Sequence, residues 1–172
     1  MDSAWISKIE NYTVFPARSI AKSKEHNEFK SKPKKESIAK LDINQADTTQ
    51  LKSIYGIGSK LSARIVGYRS KLGGFVSLNQ LSEVYGLDSA VVDEAKKKFF
   101  VSENFKPSLL NPNTTDEKTL ASHPYLKSKL ARVIIAYRQQ HGSFQQVDDL
   151  KKISILTEQT FEKIKPYLST NP

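Results

Sequence analysis

The chain has no cysteine at all. That excludes a disulfide frame, a thiolate metal site and a thiol nucleophile. It also lacks any window near the roughly 18 consecutive apolar residues that span a bilayer. Its first ten residues, MDSAWISKIE, have no apolar run of the signal-peptide kind. From the residues alone we expect a soluble chain with no export address. Hydrophobic residues make up 38% of the sequence, enough for small helical cores and too little for a large buried sheet. His26, His123 and His141 have neither the spacing of a metal site nor a carboxylate pair beside them. Gly58-Ser59-Lys60 lacks the adjacent Gly-Lys and the preceding strand of a phosphate loop. Asp148-Asp149 opens a helix, where the dipole favours acids without any metal. No enzyme activity, metal, cofactor or small-molecule substrate is expected.

Positive charge is what the chain has in excess. Lys and Arg number 27 against 18 acids, a formal charge of +9 and a pI near 9.6. Nucleic acid or an anionic membrane surface could answer that charge. It is spread unevenly, with +4 on residues 1–40. A short apolar opening there (Trp5, Ile6, Ile9, Tyr12, Val14 and Phe15) gives way after Ala21 to a segment without apolar period, including KSKPKKE at Lys30 to Glu36. We read 1–40 as a mobile basic arm, either a solvated tail or a phosphate-contacting extension.

The stretch Leu51 to Arg69, LKSIYGIGSKLSARIVGYR, organises the remainder of the chain. It reads as a short helix, a Gly56-Ile57-Gly58 bend, and a second helix with Leu61, Ile65, Tyr68 and Leu72 on one face of a 3.6-residue period. Asp47 to Gln50 forms a capping box ahead of the first helix, and Gly73-Gly74 ends the second. Phe75 comes next as an apolar anchor. A second capping box, Ser77 to Gln80, opens a third helix, and Ser89 caps a fourth after a Gly86-Leu87-Asp88 turn. From Leu109 the pattern repeats: Leu51 matches Leu120, an offset of 69 that also pairs Ser59-Lys60-Leu61 with Ser128-Lys129-Leu130, Tyr68-Arg69 with Tyr137-Arg138, and Phe75 with Phe144. One register over a whole unit indicates duplication. The expected fold is all-α: two tandem units of short helices joined by tight hairpins, at 41–103 and 109–169. A short link carrying Pro107 joins them, and Pro166 bends or ends the last helix.

At these residues the chain resembles the ComEA-like tandem helix-hairpin-helix family. The matching features are IYGIGSK, the helix ending Tyr68-Arg69, Gly73-Gly74-Phe75, and Asn44 to Asp47 leading in. The resemblance implies double-stranded DNA as partner, gripped through hairpin amides on backbone phosphates without sequence preference. It also implies a role in DNA uptake on the outer side of the cytoplasmic membrane, given an anchor. The second unit departs from the pattern, with Tyr125-Leu126-Lys127 after Pro124 where the first has Gly-Ile-Gly. The later turns, Gly86 to Asp88 and Ile155 to Glu158, carry acids and read as structural.

The candidate DNA contacts are therefore Gly56, Ile57, Gly58, Ser59 and Lys60, flanked by Arg64. Lys127, Ser128, Lys129 and Arg132 are their candidates in the second unit. Both glycines of the bend can take backbone angles denied to other residues and leave the amides at a helix N-terminus uncovered, a ready anion site. Lys60 and Lys129 sit in a first helical turn, where the dipole disfavours a cation unless an anion offsets it. Tyr68 and Tyr137 read as core. Arg69 and Arg138 suit helix C-termini. The rival reading is an interaction module whose hairpins dock a protein partner or a second copy. The net charge of the first unit is only +1, against +4 for the second, so attraction and grip need not coincide.

Overall fold

The computed structural model describes residues 40–171. The proposed basic arm therefore lies outside the described residues, apart from Lys40. In chain order the elements are β1 (Leu41–Asp42), α1 (Thr48–Lys52), α2 (Ser59–Leu72), a 3₁₀ helix (Leu78–Glu83), α3 (Ser89–Lys98) and β2 (Phe99–Phe100). The second repeat continues with α4 (Glu117–Ser122), α5 (Lys127–His141), a 3₁₀ helix (Val147–Lys152), α6 (Glu158–Ile164) and a last 3₁₀ turn (Lys165–Tyr167).

The fold is helical, as the periodicity requires. What strand there is closes each repeat on itself. Leu41 and Asp42 pair in parallel with Phe99 and Phe100, and a single bridge joins Leu110 to Leu168. Where a chain enters and leaves a small unit side by side, its extended ends satisfy their amides on each other.

Local chemistry sets the helix limits. Asp47 and Gln50 form the expected capping box on α1, and Ser77 with Gln80 forms another. The run after Ser77 nevertheless winds as a six-residue 3₁₀ helix, because Val84 turns extended before an α-helical register can establish. Ser89 is the first residue of α3, and the residue at the cap itself is Asp88. α2 stops at Gly73 in the left-handed conformation, φ +85°. α6 ends at Ile164, and Pro166 lies in the 3₁₀ turn just beyond it.

Two half-buried clips hold each repeat, and both recur at the same offset. The Asn44 side chain accepts from the Phe75 amide (2.8 Å) and donates to its carbonyl (2.9 Å). Asn113 does the same with Phe144, at 2.8 and 2.9 Å. Arg69 donates to the carbonyls of Ile43 and Ala46, both at 2.7 Å. Arg138 donates to those of Pro112 (2.7 Å) and Thr115 (2.9 Å). So these arginines, at sequence level only favourable helix-end cations, tie the long helix to the segment leading into its repeat. Phe75 and Phe144 are buried beside stacked Tyr68 and Tyr137, with centroids 6.2 and 5.2 Å apart.

Candidate nucleic-acid interface

The first bend begins with Gly56 at φ +93°, a left-handed conformation that costs an L side chain roughly 1–2 kcal/mol. A β-carbon there would also stand 2.7 Å from Val91 Cγ2. Gly56 is thus required by backbone and space together. Ile57 is not a phosphate donor: its side chain is buried and its amide donates to the Ile54 carbonyl at 3.0 Å. It anchors the bend instead.

Gly58 differs from the sequence expectation in an informative way. Its backbone is extended (φ −89°, ψ −174°), a conformation open to any residue, and nothing lies within 4 Å of where a β-carbon would stand. Neither the turn nor the packing needs a glycine. It precedes the 14-residue α2 with no side chain capping the helix. Among the described residues, no hydrogen bond satisfies the amides of Gly58, Ser59, Lys60 or Leu61. Gly58, Ser59 and Lys60 are all exposed. Bare donors, a helix dipole and a lysine converge on open solvent, the arrangement that receives an anion.

Arg64, one turn beyond Lys60, is exposed but engaged. It donates to the Tyr85 carbonyl, and its guanidinium lies over the Tyr85 ring at 5.1 Å from the centroid. It ties the first bend's helix to the second bend and cannot reach freely for phosphate.

The equivalent bend in the second repeat is built differently. Tyr125 stands in place of Gly56, and the left-handed position moves to Lys127 at φ +52°. Leu126 and Lys127 both donate to the His123 carbonyl, at 3.1 and 3.2 Å. Lys127, Ser128 and Lys129 are exposed, while the bend leading to them is spent on the first repeat. Tyr125 donates to Glu83 Oε2 (2.6 Å) and accepts from Gln80 Nε2 (3.0 Å). His123, 3% exposed, sets Nε2 3.2 Å from the Leu72 carbonyl while Nδ1 accepts from the Tyr125 amide at 3.3 Å. Burial pushes the His123 imidazole down to about 4 against the Leu72 carbonyl's pull, so it is neutral at physiological pH.

Tyr167 completes this junction, donating to the Gly74 carbonyl (2.9 Å) and accepting from Gln80 Nε2 (2.8 Å). Glu83 also accepts from Tyr68 (2.8 Å) and Lys163 (2.8 Å). Burial would raise its carboxyl, but the bonds from Lys163, Tyr125 and Tyr68 outweigh that and hold it below the usual range. Burial and the Glu83 carboxylate push the Tyr68 and Tyr125 hydroxyls up, keeping them protonated donors. Arg132 lies on α5, 3.5 Å from Glu117, as an exposed ion pair. The structure therefore brings Gly58, Ser59 and Lys60 together on one open surface and leaves Arg132 to its own repeat.

Sequence reasoning missed the junction of Gln80, Glu83, His123, Tyr125, Lys163 and Tyr167. A signal existed: the second bend places His and Tyr where the first has Ile and Gly. Among the described residues, no group of His, Cys, Asp and Glu is placed to hold a metal, and no helix is long and apolar enough to cross a membrane.

Comparison with known proteins finds the same repeated helical motif. The helix-hairpin-helix motif matches twice in tandem, over residues 36–100 and 107–169. The chain is 39% identical over 64 residues to ComE operon protein 1 of Bacillus subtilis, covering 37% of this chain and 31% of that protein. It is 40% identical over 60 residues to an uncharacterized protein of Haemophilus influenzae, covering 34% and 54%. A longer match, 27% identical over 143 residues, is to endonuclease/exonuclease/phosphatase family domain-containing protein 1 of Danio rerio, covering 73% of this chain. The chain spans only 26% of that relative's length. No solved structure matches it.

Proposed function

The chain belongs to the helix-hairpin-helix motif family, and from that premise we propose that it binds double-stranded DNA without sequence preference, as a non-enzymatic backbone reader. Residues 41–103 are the reading domain and 109–169 its rigid support. The observation that carries this is Gly58. It is a glycine demanded by neither backbone nor packing, and it leaves the amides of Gly58 to Leu61 uncovered beside Lys60. A phosphate seated there satisfies the donors and offsets the penalty of a cation in the first helical turn. Such contacts fix orientation and carry no base information. The family resemblance implies a place in DNA uptake, on the outer side of the cytoplasmic membrane given an anchor, and the similarity to ComE operon protein 1 fits that resemblance. The endonuclease/exonuclease/phosphatase family domain in the Danio rerio protein's name belongs to a chain about three times as long, of which this one spans 26%.

The test is a duplex titration at several salt concentrations. With about four phosphates neutralised, log affinity falls against log salt with slope about −3.6, and dissociation constants lie around 10⁻⁴–10⁻⁶ M. Gly58→Asp with Lys60→Glu weakens binding about tenfold or more. The charge-matched pair Ser128→Asp with Lys129→Glu changes it about threefold at most. Equal losses from both pairs contradict the reading.

One observation favours a protein-docking role as the second reading: the second repeat already spends a hairpin on protein, through Tyr125 and His123. Self-association through the first bend would show as a concentration-dependent elution volume that Gly58→Asp abolishes.

A further inference from the structure

Tyr55 and Tyr85 are 97% and 83% exposed, far more than any other large apolar side chain among the described residues. Each directly precedes the glycine of a bend. Ile54-Tyr55-Gly56-Ile57 and Val84-Tyr85-Gly86-Leu87 are related by an offset of 30 within the first repeat. The structure turns that repetition into reciprocal packing. Gly56 leaves room for Val91 on α3, while Gly86, at φ +80°, leaves room for Arg64 and Leu61 on α2. Leu61 and Val91 are themselves related by the same offset of 30. Each bend thus sits on the helix that succeeds the other, and the two tips stand together at one end of the repeat.

The tips differ in what they offer. The first presents the bare amides of Gly58 to Leu61. The second carries Asp88 where the first has Gly58, which repels a second phosphate. Its offering is the Tyr85 ring, braced by Arg64 at 5.1 Å. Arg64 lies one turn from Lys60, about 6 Å along the helix axis, so Tyr85 flanks the phosphate grip. Tyr68, Tyr125 and Tyr167 place their hydroxyls on protein partners. Tyr55 and Tyr85 place theirs on none of the described residues. The second repeat, whose bend is docked on the first through Tyr125, has Pro124 and Ser154 at the equivalent positions. Among the described residues the exposed aromatic pair occurs only in the first repeat.

We infer that Tyr55 and Tyr85 act as a paired aromatic probe that enters the groove of a duplex held at the Gly58–Lys60 amides and selects steps that unstack easily. This rests on the DNA reading above and adds a substrate preference to it. A wedge between base steps costs stacking, least at mismatches and at flexible pyrimidine–purine steps and most in stiff A-tracts. Every base has a face for an aromatic ring, so the preference tracks deformability instead of letter sequence.

The experiment compares two duplexes of equal length with the full chain: a stiff A-tract and one bearing a central mismatch beside 2-aminopurine. The wild type binds the mismatched duplex about 5- to 10-fold more tightly and brightens the reporter. Tyr55→Ala with Tyr85→Ala removes preference and brightening, while A-tract affinity stays within about threefold. Tyr55→Phe with Tyr85→Phe keeps both. Melting curves of all three proteins lie close together, since Tyr55 is 97% exposed and Tyr85 contributes only its exposed contact with Arg64. Preference surviving the double alanine variant, or absent from the wild type, overturns the inference and leaves duplex binding intact. Tighter tyrosine-dependent binding to single strands overturns its duplex form. Failure to bind either duplex removes the DNA reading itself.

Discussion

Sixty-nine residues apart, the same piece of chain is put to two uses. The first bend leaves Gly58 to Lys60 facing solvent with nothing docked on them, whereas the bend at Tyr125 to Lys129 is anchored on the other repeat through Tyr125. The framework around both is the same, down to the Asn–Phe and Arg–carbonyl clips. The clips are kept while the tip diverges. Where the first bend has Gly56, the second has a tyrosine that reaches Glu83 and docks the bend on the first repeat, with no change of fold. A motif match therefore locates a scaffold, and what docks on its tip separates one copy from the other.

The largest expected effect sharpens this contrast at the helix exits. Gly74, at φ +111°, has no room for a side chain, because a β-carbon would fall 2.1 Å from the Phe105 ring. Gly74→Ala should cost about 3 kcal/mol or more in denaturant unfolding. Gly142, at φ +83° with open space around it, should cost only about 1 kcal/mol as alanine. Equal costs would mean that the link between repeats is not seated on the first one.

Acid should break the junction before it touches the open bend. His123 in the fold titrates near 4 instead of 6.5, so the unfolded chain takes up the proton first as pH falls. That contribution is complete above pH 6.5 and is lost progressively down to about 4, up to about 3 kcal/mol. The Glu83, Asp116 and Asp149 carboxyls are held low, so their contributions disappear only below the ordinary carboxylate range. Melts between pH 7 and 5 thus isolate His123, and His123→Gln should flatten the slope. An unchanged slope would place the titrating group elsewhere.

A smaller effect comes from Glu83→Gln, which leaves Lys163 without its charge partner and weakens the bonds from Tyr68 and Tyr125. About 1–2 kcal/mol of stability should be lost, with duplex affinity unchanged. Smallest of all, Lys127→Gly relieves a left-handed lysine at φ +52° and should raise stability by about half a kcal/mol.

The framework was legible in the sequence because it depends on spacing. The 69-residue register, the capping boxes and the glycine exit all stem from residue type and distance along the chain. The tips were only partly legible. Gly58 was expected to serve an unusual backbone, yet its angles are ordinary, and its value lies in the space it leaves. Ile57 was grouped with the donors, although burial and the Ile54 carbonyl claim it. The junction could not be read from periodicity, since Gln80 looks like a capping residue and Tyr167 like core until they meet across 87 residues of chain. The offset of 30 that pairs Tyr55 with Tyr85 was in plain view, but only the reciprocal packing gives it meaning.

The most direct measurement tracks individual backbone amides of ¹⁵N-labelled protein as duplex DNA is added. The account predicts that the resonances of Gly58, Ser59, Lys60 and Leu61 move first and furthest, and that those of Ser128, Lys129 and Leu130 stay nearly still. Shifts centred on the second bend, with the first unmoved, would contradict it.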